Sequence, residues 1–178
     1  MPSNWGLGYI QVYTGNGKGK TTMALGLALR AAGHGLRTYI GQFLKMARGG
    51  EHKAVARFGG LIAIEAFGSG RFLDPGAPLD PAEVTRARDG LVRCRAAMLS
   101  GHYHIIVLDE VNVAVDYGLL PVGDVLALLR EKPKDVELVL TGGGAHSALI
   151  DAADLVSDVR AIKHYYDRGV AARDGIEL

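Results

Sequence analysis

The stretch Thr14-Gly15-Asn16-Gly17-Lys18-Gly19-Lys20-Thr21-Thr22 joins two segments of different character. Before it, Tyr9-Ile10-Gln11-Val12-Tyr13 reads as a strand; after it, residues 21–32 read as a helix stopped by Gly33. A strand, a glycine-rich turn and a helix in that order are the setting of a phosphate-binding loop. Glycines let successive backbone N–H groups turn inward around phosphate oxygens, and the helix N-terminus adds positive potential. Lys20 is expected to reach terminal phosphates, and the Thr21 hydroxyl to ligate Mg²⁺ (or Mn²⁺). Gly15, Asn16, Gly17, Lys18, Gly19, Lys20, Thr21 and Thr22 are therefore the candidate binding residues. The usual pattern is G-x-x-x-x-G-K-[ST]. Here its first glycine position falls on Thr14, and Gly15 supplies the glycine one step late.

A second signal is Ile105-Ile106-Val107-Leu108-Asp109-Glu110. Such a continuously apolar strand suits burial on both faces of a parallel sheet. It delivers its carboxylates to the carboxyl edge, where open α/β folds bind ligands. Asp109 is expected to hold the metal, directly or through water, and Glu110 to position water or another ligand. Further strands are expected at 38–43, 61–66, 136–140 and 155–159, and helices at 51–58, 83–99, 122–130 and 147–153. Alternating strands and helices predict an α/β fold: an open, mostly parallel sheet with helices on both faces. Residues 68–81 read as a loop and 163–178 as an irregular tail. With no linker and no internal repeat, the whole of 1–178 reads as one domain.

Composition narrows the function. The 178 residues carry 20 basic and 19 acidic side chains, which gives no electrostatic footprint for duplex nucleic acid. The single cysteine, Cys94, excludes an internal disulfide and a thiolate metal cage. Glycine is the outlier at 25 residues, well above the ~7% of ordinary usage, and belongs in turns. No run approaches the ~20 apolar residues of a membrane span, and no targeting segment is visible. A reduced, cytoplasmic protein is expected.

Other polar features are less specific. His102 and His104 alternate ahead of a strand, but spacing places no third ligand, so a solvated strand edge is the expectation. Arg86, Arg88, Arg93 and Arg95 flank a helical stripe of Val84, Ala87, Leu91, Cys94 and Met98, which predicts a solvated arginine face and a core cysteine. Thr141-Gly142-Gly143-Gly144 follows a strand and should help shape the ligand edge.

Taken together, several stretches resemble the P-loop corrinoid adenosyltransferases (cob(I)yrinic acid a,c-diamide adenosyltransferase). They are residues 14–22, Gly33-His34-Gly35, Gln42-Phe43-Leu44-Lys45, Leu108-Asp109-Glu110-Val111-Asn112-Val113-Ala114 and Asp116-Tyr117-Gly118-Leu119-Leu120-Pro121. Val139-Leu140-Thr141-Gly142, Ala152-Ala153-Asp154, Lys163-His164 and the tail from Asp167 to Glu177 extend the likeness over nearly the whole chain. The shortened loop is itself a feature of that family. The resemblance implies a P-loop NTPase-like fold, ATP as co-substrate, and transfer of its adenosyl group to the cobalt of a reduced corrinoid with release of tripolyphosphate. It also implies a homodimer and a flavodoxin-like or flavin reductase as electron donor. Lys20, Asp109 and Glu110 would be its catalytic residues, and Phe72 the aromatic that displaces the lower axial ligand of cobalt. Gly143 stands where the family commonly has arginine. The alternatives are a small P-loop kinase or ATPase, and an ATP-dependent corrinoid-binding protein.

Overall fold

The structure, a computed structural model, describes residues 6–71, 76 and 78–177. Phe72, the candidate axial-ligand wedge, lies outside the described residues.

Six strands form one sheet: β1 (Ile10–Thr14), β2 (Thr38–Phe43), β3 (Ile62–Phe67), β4 (Ile105–Asp109), β5 (Glu137–Thr141) and β6 (Leu155–Asp158). Their order is β3-β2-β4-β5-β1-β6, and every neighbouring pair is parallel. The helices are α1 (Lys20–Ala32), α2 (Gly50–Val55), α3 (Pro81–Leu99), α4 (Val111–Asp116), α5 (Val122–Arg130) and α6 (Ser147–Asp151).

Side-chain alternation along the central strands explains the two cores. Ile106, Leu108, Leu138 and Leu140 point into one apolar cluster, which also holds Cys94, Met98, Val111, Leu128 and Leu149 from the helices on that face. Ile105, Val107 and Val139 point the other way, onto Ala24, Ala28 and Ala31 of α1. Those alanines are three and four residues apart, so α1 presents a smooth stripe and packs close to the sheet. Strands β2, β4 and β5 are buried throughout, whereas β6 is a solvated edge on which Leu155 and Val156 are exposed.

Most boundaries fall where expected, and the departures have local causes. Helix α3 starts at Pro81, two residues early, because the Asp80 side chain accepts a bond from Ala82 N at 2.8 Å and proline suits the first helical position. Its most buried residues are Glu83, Ala87, Gly90, Cys94 and Met98, with Val84 and Leu91 half-buried beside them. Arg86, Arg93 and Arg95 lie outside this stripe and pair with Glu83, Glu65 and Glu131. The expected helix at 51–58 divides into α2 and a 3₁₀ turn, Ala56–Phe58, closed by Gly59 at φ 56°. Helix α4 was not expected, because it is six residues long and directly follows a strand end. The tail is less irregular than expected, with a 3₁₀ turn at Tyr165–Arg168. His104 Nδ1 accepts a bond from Arg37 N at 3.0 Å, so this histidine ties a loop to the sheet edge.

Candidate phosphate and cation site

The carboxyl edge of the sheet gathers the 14–22 loop, the end of β2, Asp109-Glu110 and Thr141–Gly144. Gly15 (φ 95°) and Gly19 (φ 120°) adopt backbone conformations that side chains resist. A Cβ at Gly15 would lie 2.3 Å from Asp158 Oδ1 and 2.4 Å from Val159 O, so the loop rests directly on the end of β6. Gly17 N donates to Val159 O at 2.7 Å, and Ala161 N donates to Asn16 Oδ1 at 3.0 Å. Asn16 therefore fastens the loop to the segment that follows β6.

Lys20 Nζ spans the loop, donating to Gly15 O and Gly17 O at 2.8 Å each. Thr22 lines the cleft beside it. Lys18 turns toward the tail: its ammonium is 3.3 Å from Ile176 O and 3.8 Å from Glu177 Oε1. Glu177 also binds Tyr165 and Arg173, which hold its carboxyl down to about 2. The tail is thus strapped to the 14–22 loop through Lys18.

Asp109 is fully buried, and its carboxylate gathers donors from α1, β2, β5 and the loop after β2. Oδ1 accepts from Thr141 Oγ1 at 2.6 Å and from Thr21 Oγ1 at 2.9 Å. Oδ2 accepts from Gln42 Nε2 at 3.1 Å and from Lys45 Nζ at 2.7 Å. Glu110 follows in a left-handed backbone conformation (φ 63°), with its N–H donated to Thr141 Oγ1 at 3.0 Å. Burial pushes the Glu110 carboxyl above the usual carboxylate range, and Lys45, 4.0 Å away, opposes that rise.

Sequence reasoning assigned no role to Gln42, Lys45, Glu51 or His52. Gln42 pairs in register with Asp109 across β2 and β4 and is itself fully buried. Its amide donates to Asp109 and to Glu51 Oε1 at 3.1 Å, which leaves its oxygen to accept from His52 Nε2 at 2.7 Å. Helix α2 is thereby linked to the Asp109 carboxylate. A long amide side chain between Gly41 and Phe43, near the end of a strand, was the available signal. Lys45 comes next to a turn made by Leu44, whose φ is 63°.

The loop from Gly17 to Thr22, with Lys45, Glu51, His52 and Glu110, lines a cleft of about 1520 Å³. Its remaining walls carry Leu25, Leu29, Leu44, Met46, Val55 and Phe58, with Arg48 and Lys53 at the sides. Gly143 borders a smaller, open depression of about 520 Å³ beside Thr14, Gly15 and Asn16.

The family model described as ATP:corrinoid adenosyltransferase BtuR/CobO/CobP matches residues 7–178. The chain belongs to this family. Corrinoid adenosyltransferases of Escherichia coli K12 and Salmonella typhimurium are similar to it at 33% and 34% identity, each over 96% of this chain and 85% of the relative. A protein of Nostoc sp. is 37% identical, but the chain covers 45% of its length. Among solved structures, a KaiC-like protein from Pyrococcus horikoshii superposes with a TM-score of 0.55 at 19% identity, covering 86% of this chain and 74% of the other. That likeness bears on the fold, which is α/β and P-loop NTPase-like. The corrinoid adenosyltransferases are a family of transferases, and the short loop after β1 belongs to a member of it.

Proposed function

We propose that this corrinoid adenosyltransferase moves the 5′-deoxyadenosyl group of ATP to the cobalt of a reduced corrinoid, cob(I)alamin or cob(I)yrinic acid a,c-diamide, and releases tripolyphosphate. The product serves adenosylcobalamin biosynthesis or salvage. One observation carries the reading: the 14–22 loop borders a cleft of about 1520 Å³ whose lining also includes the apolar side chains of Leu44, Met46, Val55 and Phe58, room enough for a second substrate beside ATP. The one cysteine is buried away from that cleft, so no thiol competes as nucleophile.

The chemistry asks little covalent work of the protein. Cob(I) cobalt supplies the electron pair, a Co–C bond forms at the ribose 5′-carbon, and the C–O bond to the triphosphate breaks with its electrons. The protein has to align the two substrates and stabilise charge growing on the departing triphosphate. Loop amides and Lys20 serve the second task. Leu25, Leu29 and Phe58 give the cleft apolar surface against which a flat substrate can rest.

A divalent cation fits the donor set. Thr21 Oγ1 and the Asp109 carboxylate converge on one point, and a cationic ammonium already bridges them. Among the described residues no group of three or more His, Cys, Asp or Glu could hold a metal. Two protein oxygens, with the rest of the shell left to phosphate and water, is the pattern Mg²⁺ favours. Thr21 and Asp109 would hold Mg²⁺ (or Mn²⁺), which when bound neutralises charge on the triphosphate. Glu110 lies at the rim to order water there.

We also read the chain as a single cytoplasmic domain acting as a homodimer, with a flavodoxin-like or flavin reductase as donor; among the described residues no helix is long and apolar enough to cross a membrane. Phe72 keeps the role carried over by resemblance. Product analysis tests the main reading: adenosylated corrinoid with tripolyphosphate is expected. ADP and phosphate would instead mark a kinase or ATPase, and binding without turnover a corrinoid-binding protein.

A further inference from the structure

We infer that Lys45 holds the cation position of this site in the free enzyme and gives it up only when nucleotide and divalent cation arrive together. The inference rests on the proposed roles of Thr21 and Asp109 as metal ligands. Lys45 Nζ is 2.7 Å from Asp109 Oδ2 and 2.7 Å from Thr21 Oγ1, with Glu110 Oε1 at 4.0 Å. These are the same two oxygens that a divalent cation would use. Mg²⁺ needs its oxygens at roughly 2.0–2.1 Å, so an ammonium bonded to both cannot remain while the metal binds. The two cations exclude each other by contact and by charge.

The surroundings permit an exchange. Asp109 keeps its hydrogen bonds from Thr141 and Gln42 when the ammonium leaves, so the carboxylate stays aimed. The Lys45 side chain is 31% exposed and borders the cleft, where a flexible four-carbon stem can swing its charge to a phosphate oxygen. A triphosphate on the loop therefore does two things. It offers the displaced ammonium new acceptors, and it completes the metal's shell. Metal and nucleotide should bind cooperatively, and by linkage each should favour the other equally. Metal alone should bind weakly, because it competes with a tethered charge.

The test is Mn²⁺ binding followed by electron paramagnetic resonance, with no corrinoid present so that ATP is not consumed. Lys45→Met and Lys45→Gln should bind Mn²⁺ at least tenfold more tightly than the parent without ATP. The gain in Mn²⁺ affinity on adding ATP should shrink by a comparable factor. Lys53→Met, which removes a charge from the side of the same cleft, should stay within twofold of the parent. Thermal unfolding of both Lys45 variants reports whether they are folded, and either one alone suffices. Unchanged Mn²⁺ affinity in a folded Lys45 variant would overturn the inference, as would an equal gain in Lys53→Met. Asp109→Asn separates the two levels. If it weakens Mn²⁺ binding with ATP while the Lys45 variants match the parent, the metal site stands and the exchange falls. If Asp109→Asn leaves Mn²⁺ binding unchanged, both fall.

Discussion

On the proposed reading Lys20 serves the anion and Asp109 the cation, and substitutions should expose that division. Lys20→Ala removes the charge that spans the loop and should lower kcat/KM for ATP by about 10²–10³, the cost of losing one donor to a developing anion. Its two partners are loop carbonyls, not core groups, so the unfolding temperature should move by no more than about 2–4 °C. A near-normal kcat/KM would remove Lys20 from the phosphate site. Asp109→Asn should raise the half-saturating Mg²⁺ concentration at least ~10-fold, since loss of even a supporting partner of a metal ligand costs roughly 10–100-fold. An unchanged Mg²⁺ titration would show that Asp109 serves the fold alone. The placement of both residues was legible in the sequence because each belongs to a contiguous signal, a loop before a helix and an acidic strand end. Gln42 and Lys45 were not. Their roles depend on β2 lying beside β4, a pairing between residues 67 positions apart that no local pattern announces.

At the scale of elements, the closeness of α3 to the sheet rests on a missing side chain. A Cβ at Gly41 would stand 2.3 Å from Cys94 Sγ, in a strand and a helix that are both buried there. Gly41→Ala should therefore destabilise by about 1–3 kcal/mol, the usual cost of overpacking. Adding Cys94→Ala removes the clashing sulfur, so the double variant should recover part of the loss in chemical denaturation. Strict additivity would mean the strain lies elsewhere. The tail gives a second prediction. Glu177 is held at about 2 against an ordinary value of 4.5, mainly by its hydrogen bonds with Arg173 and Tyr165. A depressed carboxyl stabilises docking above its ordinary value and loses that contribution as pH falls through about 2. An NMR titration should place the Glu177 midpoint near 2, and Lys18 and Tyr165 signals should shift with it. A midpoint near 4.5 would mean that the strap is loose in solution. The tail's packing was hidden from the sequence because its contacts are polar and reach back to Lys18, with no periodic stripe to mark them.

The molecule as a whole is organised so that the ends of β1, β2, β4 and β5 bring polar residues to one edge, while the two cores lie on opposite faces of a shared sheet. Shared strands should make the two cores melt together. Calorimetry is expected to show one transition with equal calorimetric and van't Hoff enthalpies. Two resolved transitions would divide the chain into units that the single-domain reading does not contain. The alternation of strands and helices was readable from hydrophobic period alone, but the strand order was not: it is a property of crossovers, which leave little trace in composition. Among the described residues, Leu44 and Glu110 are the non-glycine positions with positive φ, both at 63°, and they directly adjoin Lys45 and Asp109. Backbone of this kind costs of order 1–3 kcal/mol per residue. A laboratory selection for heat resistance alone would be drawn to glycine at position 110, where relief is available and the lost side chain is a carboxylate that burial disfavours. Libraries screened for robustness should accordingly enrich such variants and discard turnover with them, unless catalysis is scored in the same round.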